Sequence, residues 1–510
     1  MSQNTHYFDE NRLKSELKHK TIRGAGATIM SRGFALFLHM FATIVLARLL
    51  VPRDFGIVSM VTAFSYLLHN VGLNGFTEAV IQEKHLSHGQ VSTLFWIGSS
   101  VSILLAGGFV LLSPLLARFY DEPRLVGISM AFACGFIFSG LSTQHLALLK
   151  RTMQFGTVAI IEIIAMFVSI TLAIGFALLN LGYWAIVVRQ VSLSLIVLIG
   201  AWITCSWRPS VPAGLKEVGH MLRFAINTFT NFSVYYFSRN LDKILIGRFH
   251  GPLALGFYDR AYHLFVMPAS QMTAPLTSVA IAALSRLREE PKRFINYYCK
   301  AISLLAFFGM LISGLLTLNA IDIILLLLGP QWDKTGVIFS VLSPATGIML
   351  VYSTHGWLHL SLGTPHKWVR WTLVALVITL AGFLIGLPYG AIGVAAAYSI
   401  TFYILVIPGI LYAGRPMNIG IRLILKSIWH YFAACLLAGP GAWFVLKMVD
   451  FIARPYSAAA LPVRILMAST VFILLYLLSV IVLHGSIRPL VEIFDVAKGM
   501  VIRKKQKAYP

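Results

Sequence analysis

A small set of charged residues lies inside stretches of otherwise apolar sequence: Arg32, Arg189, Arg239, Lys243 and Arg260, with Glu78, Glu162, Asp242 and Asp259. An ionised side chain in a bilayer is costly, so each is expected to pair with another charge or to face a polar ligand, an ion or a wet cavity. Polar residues around them form stripes. Thr28, Arg32, His39 and Thr43 share one helical face by steps of four and seven, and Tyr66, Asn70, Asn74 and Glu78 share another by steps of four. A third stripe holds Asn227, Asn231, Tyr235, Arg239 and Asp242, and a fourth holds Asp259, His263, Ser270 and Thr277. Guanidinium forks match phosphate oxygens, while amides and phenols bond to hydroxyls, so Arg32, His39, Asn70, Asn74, Asn227, Asn231, Tyr235 and Arg239 suit a polar, anionic ligand.

The remaining charges admit ion pairing or ion coupling. A turn centred near Gly251 puts Lys243 level with Asp259, and Asp242 level with Arg260, so simple pairing accounts for these four. Arg239 lies about a turn deeper, without such a partner, and reads as functional. Glu162 sits roughly 28 Å from the turn near Leu181 and Arg189 roughly 13 Å from it, so the two are not expected to pair. Glu162 instead shares an end with Arg32 and Glu78, and a pair with Arg32 is expected. The Asn, Ser and Thr of the stripes also serve interhelical hydrogen bonds, worth about 0.6–2 kcal/mol each.

The elements that carry these residues are set by hydropathy. Hydrophobic residues make up 58% of the 510-residue chain and charged residues only 12%, with a mean hydropathy of +0.79. This excludes an ordinary soluble domain. Apolar windows long enough to cross a bilayer begin near residues 26, 56, 91, 125, 157, 182, 219, 256, 296, 336, 368, 391, 427 and 462, which makes about fourteen transmembrane helices. The runs are continuous rather than alternating, so the fold class is an all-α polytopic membrane protein and not a barrel. Polar connections are too short for a separate catalytic domain. Pro268, Pro275, Pro344 and Pro408 fall where they can kink their helices.

The chain also repeats itself. Arg48, Pro52 and Gly56 recur as Arg248, Pro252 and Gly256, and the glycine-led helix at Gly182 has a counterpart at Gly390. Parallel repeats of helix bundles are a construction plan of transporters. The expected organisation is an N-terminal segment (1–25), a six-helix lobe (26–204), a linker (205–218), a second six-helix lobe (219–413), two accessory helices (427–484) and a basic tail (485–510). The first 25 residues lack a signal peptide's apolar region. Lys and Arg concentrate on the side of the termini (Lys84, Lys150, Arg151, Arg208, Arg286, Lys367, Arg422 and the tail), which places both termini in the cytoplasm. That bias accounts for most of the +22 net charge, so nucleic acid is not an expected partner.

No Walker loop, G-x-S-x-G, H-E-x-x-H or dinucleotide fingerprint stands in a fitting context. The reading is therefore a non-enzyme without cofactor or metal. Glu289 and Glu290 read as a solvated cap, Glu83–Gln90 as a poor metal site, and Cys134, Cys205, Cys299 and Cys435 as unpaired filler.

The run ARLLVPRDFGIVSMVTAF from Ala47, GLNGFTEAVIQEK from Gly72, STLFW from Ser92, RFY from Arg118 and above all NLDKILIGRFHGPLALGFYDRAYHLFVMPASQM from Asn240 resemble the Wzx-type lipid-linked oligosaccharide flippases. The likeness is to their colanic-acid-exporter-like branch, in the superfamily that also holds multidrug antiporters and the lipid II flippase. It runs from about residue 24 to about residue 415. It implies two lobes whose first, second, seventh and eighth helices line a central cavity. The implied substrate is an undecaprenyl-diphosphate-linked oligosaccharide, moved from the cytoplasmic to the outer leaflet of a bacterial inner membrane; a polysaccharide polymerase and export complex are candidate partners, and the sequence leaves open whether the protein works alone. Rival readings are a multidrug/cation antiporter, disfavoured by cationic stripes, and a membrane-bound polymerase or ligase, disfavoured by short outward loops.

Overall fold

A computed structural model describes residues 31, 33–83, 86–212, 214, 218–224, 226, 236, 240–452, 461–487 and 491; for helical residues 69–75, 274–275 and 449–452 only the backbone is described. Among the described residues the chain is helical, without strands. The helices are α1 (Gly33–Leu49), α2 (Pro52–Gln82), α3 (His88–Tyr120), α4 (Leu125–Arg151), α5 (Phe155–Leu178), α6 (Trp184–Thr204), α7 (Leu241–Arg286), α8 (Pro291–Leu318), α9 (Ala320–Leu327), α10 (Asp333–Leu342), α11 (Ala345–Ser361), α12 (Pro365–Gly386), α13 (Gly390–Gly414), α14 (Ile421–Ile452) and α15 (Leu461–His484).

Among the described residues, eight helices are long and apolar enough to cross a bilayer, or up to ten if each of two bent pairs is one span. The expected fourteen are not reached. α1 is short, α2 is more polar, and the seventh expected stretch lies largely outside the described residues. Both bends fall at expected prolines. One, of 41°, lies between Thr273 and Leu276, at Pro275; the other, of 51°, lies between Leu342 and Ala345, at Pro344. Proline removes an i→i−4 hydrogen bond and clashes with the preceding turn. Pro268 and Pro408, by contrast, lie within unbroken helical stretches.

The chain divides into two compact units, Met1–Gly256 and Phe257–Pro510. In the first, α3 packs on α4, α2 on α4, and α5 on α6. Its core at the Trp207 end gathers Phe76, Val80, Leu94, Phe95, Leu148 and Trp207. Arg151 fastens the same end, donating to the Val80 and Glu83 carbonyls left open at the end of α2. The tract Glu83–Gln90 serves structure: Ser87 Oγ accepts from the Gln90 N–H (3.2 Å), and Gln90 Oε1 accepts from the Ser87 N–H (2.9 Å), a capping box that starts α3. In the second unit α8 packs on α11, α12 on α13, and α14 on α15. Glu290, at the exposed start of α8, receives Arg293 at 2.8 Å and makes no side-chain cap bond to the helix.

The repeat appears inside each unit. Gly182 and Gly390, which open corresponding helices, both hold left-handed φ, 55° and 73°. α4 and α11 end alike: Met153 (φ 58°) and Gly363 (φ 67°) turn the chain, with Gln154 N–H bonded to Leu149 O (2.9 Å) and Thr364 N–H to His359 O (2.8 Å). All four cysteines are unpaired; Cys205 is buried, but Cys134 lies exposed rather than filling the core.

At the opposite end of the first unit the duplicated motif meets itself. Gly251 (φ 75°) breaks α7, so that Pro252–Gly256 turns back. A Cβ on Gly56 would run into the Pro252 carbonyl, and a Cβ on Gly256 into the Pro52 carbonyl. Both copies of the motif thus lie in the first unit, which ends at Gly256. Tyr120 of the RFY tract packs beside Gly247, where an added Cβ would sit 2.8 Å from its ring. The neighbouring loop is held by Arg124, whose Nε and Nη2 donate to both oxygens of Glu122 at 2.6 and 2.7 Å, with Arg53 at 3.7 Å. This fork holds the buried Glu122 carboxyl below the usual carboxylate range.

Gly56→Val and Gly256→Val are each expected to abolish monodisperse protein in detergent size-exclusion chromatography. Gly107→Ala, in open space on α3, should leave it intact or raise the unfolding temperature by the equivalent of about 0.5–1 kcal/mol. Because the Glu122 pKa is depressed on folding, its contribution is present at neutral pH and is lost as pH falls through the folded value. Glu122→Gln should cost about 1–3 kcal/mol at neutral pH and should flatten the acid-side fall of the unfolding temperature seen in the parent.

Candidate functional site

Of the residues expected to bind a ligand, Arg32, Asn227, Asn231, Tyr235 and Arg239 lie outside the described residues, and for Asn70 and Asn74 only the α2 backbone is described. His39 is described and exposed on α1. Its Nδ1 lies 3.4 Å from Arg189 Nη2 of α6, which brings together two residues the sequence had placed in separate groups. Thr43, a turn along α1, is buried and donates to the His39 carbonyl at 2.8 Å.

On the same unit α2, α4 and α6 line a small, half-open cleft of about 30 Å³, room for roughly two waters. Thr62, Ser65 and Tyr66 of α2, Phe132 and Phe136 of α4, and Gln190 and Ser194 of α6 line it, and none of the described lining residues is charged. Tyr66 is the stripe residue among them. Its ring stacks on Tyr236 at 5.4 Å and 24°, and Tyr236 Oη donates to the Thr62 carbonyl at 3.2 Å. The other polar lining groups escaped the sequence reading, although Thr62 with Tyr66 and Gln190 with Ser194 show the i, i+4 spacing that could have found them.

The acids separate into different environments. Glu78 sits on α2, half-buried, and its Oε2 has no hydrogen-bond partner among the described residues. Glu162 is exposed on α5, and its expected partner Arg32 lies outside the described residues. Asp242 is buried, and its Oδ1 accepts from the Lys243 backbone N–H at 2.9 Å. In the second unit Asp259 is buried; Arg260 Nη2 donates to it at 2.5 Å, and His263 Nε2 lies 3.5 Å away with its ring half exposed. One oxygen of Asp259 is thus held by the guanidinium and the other faces the exposed imidazole. Further along that stripe, Thr277 is absorbed by packing, since its hydroxyl accepts from Trp357 Nε1 at 3.0 Å. No group of three or more His, Cys, Asp or Glu suited to a metal occurs among the described residues.

Residues 45–336, more than half of the chain, match the family described as "Polysaccharide biosynthesis protein". The chain is similar to the lipopolysaccharide biosynthesis protein WzxC of Escherichia coli K12, 23% identical over 326 residues, which cover 62% of this chain and 65% of that protein, just under two thirds of its length. It is similar to the succinoglycan biosynthesis transport protein ExoT of Rhizobium meliloti, 22% identical over 383 residues, covering 73% of this chain and 75% of the other. Its fold is that of the solved lipid II flippase MurJ in an inward closed conformation, with a TM-score of 0.70 at 17% identity over 92% of this chain and 100% of that one. With its apolar helices and its match over 45–336, the chain is a multi-pass membrane protein that belongs to the polysaccharide biosynthesis protein family.

Proposed function

We propose that this protein flips undecaprenyl-diphosphate-linked oligosaccharide repeat units across the bacterial inner membrane, for assembly of an exopolysaccharide, capsule or lipopolysaccharide. The family match over residues 45–336 carries the reading. The MurJ-like fold supports it at the level of architecture. Both termini lie in the cytoplasm in this scheme, as the Lys and Arg bias favours. Lobes 26–204 and 219–413 act as the two rocking bodies of an alternating-access cycle, with helices 427–484 as accessories. A polysaccharide polymerase and an export complex are the proposed partners.

The diphosphate carries about two negative charges near neutral pH. Arg32 and Arg239 would receive it along the path, with Arg189, whose guanidinium lies beside His39, as a third cationic point. Asn70, Asn74, Asn227, Asn231 and Tyr235 would bond to sugar hydroxyls. The empty carrier would return with a proton or a sodium ion at Glu78, Asp242, Asp259 or His39, of which Asp259 has the best-described surroundings. Glu162, Lys243 and Arg260 serve as pairing charges. Cation antiport is the weaker reading, because the polar stripes carry Arg32, His39 and Arg239 and none of the described residues lining the cleft between α2, α4 and α6 is a carboxylate.

Deleting the gene should leave lipid-linked repeat units that a non-permeant sugar oxidant reaches only in inside-out vesicles; units exposed normally in right-side-out vesicles would rule out flipping. Complementation with Arg239→Ala should lower export at least tenfold at normal protein level, and Arg239→Lys should restore part of it. Unchanged export in the Ala variant would remove Arg239 from the substrate path.

A further inference from the structure

Arg422, Lys426 and His430 follow one another by steps of four, so they share one face of α14, at the end that the Lys and Arg bias assigns to the cytoplasm. His484 closes α15 at the same end. Its imidazole stacks on that of His430, with centroids 4.0 Å apart and planes at 24°, and the Trp429 ring lies 3.9 Å from His430 on centroids. His484 Nδ1 is 2.9 Å from the Val480 carbonyl, which can only accept, so Nδ1 carries the hydrogen and Nε2 is left for a ligand. Among the described residues no carboxylate pairs with Arg422, Lys426, His430 or His484.

Helix length turns this column into a shelf. The stack makes His430 and His484 level, and α15 ends there, while α14 continues from His430 to its start at Ile421, about 13 Å along the axis. Arg422 and Lys426 therefore stand above the step, and both are exposed. Like charges at i, i+4 repel, and a bound anion removes that repulsion. Below the step the surface is apolar: Trp429 is 44% exposed, and Leu437, two turns from His430, is 60% exposed. Cations above an open apolar face match a ligand with an anionic head and hydrocarbon chains. We propose that the shelf binds the phosphate of an anionic phospholipid of the phosphatidylglycerol type from the cytoplasmic leaflet. The phosphodiester takes the guanidinium fork of Arg422 and the ammonium of Lys426, with the imidazoles at its base, and the acyl chains run past Leu437. Such a site ties the accessory helices to that leaflet whatever the protein transports.

Arg422 and Lys426 are exposed, so a double variant with Arg422→Gln and Lys426→Gln should fold. Native mass spectrometry of the purified full-length protein, titrated with phosphatidylglycerol or with zwitterionic phosphatidylethanolamine, should show the anionic lipid bound about tenfold more tightly. The double variant should bind phosphatidylglycerol about tenfold to thirtyfold more weakly, and His430→Leu should weaken it less. Lys447→Gln, which removes the cation over Trp443 toward the other end of α14, should leave the affinity of the parent. Equal affinity for the two lipids, or phosphatidylglycerol binding that survives the double substitution, overturns the site. Displacement of the lipid by millimolar inorganic phosphate would overturn it as well, by making the shelf a site for soluble phosphate. Displacement by equimolar farnesyl diphosphate would do the same, by assigning the shelf to an isoprenoid carrier.

Discussion

Backbone meeting backbone at the paired Pro–Gly segments is the contact on which the first unit depends. Pro52 with Gly56 and Pro252 with Gly256 lie so close that neither glycine has room for a Cβ. Without a hydrophobic effect between helices in lipid, association relies on close van der Waals approach, and small residues permit it. The same logic recurs elsewhere: Gly140 of α4 packs on Ser102 of α3, and Gly309 of α8 on Gly347 of α11. The duplicated spacing is therefore a pair of complementary surfaces, each copy supplying the carbonyl that the other copy's glycine accommodates.

Around that crossing the chemistry is divided by position. The loop end carries a charge-satisfied fork, Glu122 between Arg124 and Arg53, whose role is to fix the turn between α3 and α4. The opposite end is closed by Trp207, Phe95 and the Arg151 cap on α2. Between the two ends lies a small cleft whose described lining residues are uncharged, and His39 of α1 meets Arg189 of α6.

Much of the architecture was legible in the sequence. Windows beginning near 125, 157, 182 and 391 correspond to α4, α5, α6 and α13, and the turn at Gly251 and the bends at Pro275 and Pro344 appear where proline and glycine required them. The site was less legible. His39 and Tyr66 were visible as stripe residues, but Thr62, Ser65, Gln190 and Ser194 sit among apolar neighbours, where hydroxyls bonded to their own helix backbone are common in any span.

The sequence by itself determined that the chain is helical, membrane-embedded and internally repeated, because hydropathy and proline act locally or as sums along the chain. Only the tertiary structure decided that the two copies of the motif touch, that His39 meets Arg189, and that hydroxyls from α2 and α6 face a common cavity beside two phenylalanines of α4. Those facts depend on the rotation of each helix about its axis. That rotation is set by packing against partners far away in the chain, and no local pattern encodes it.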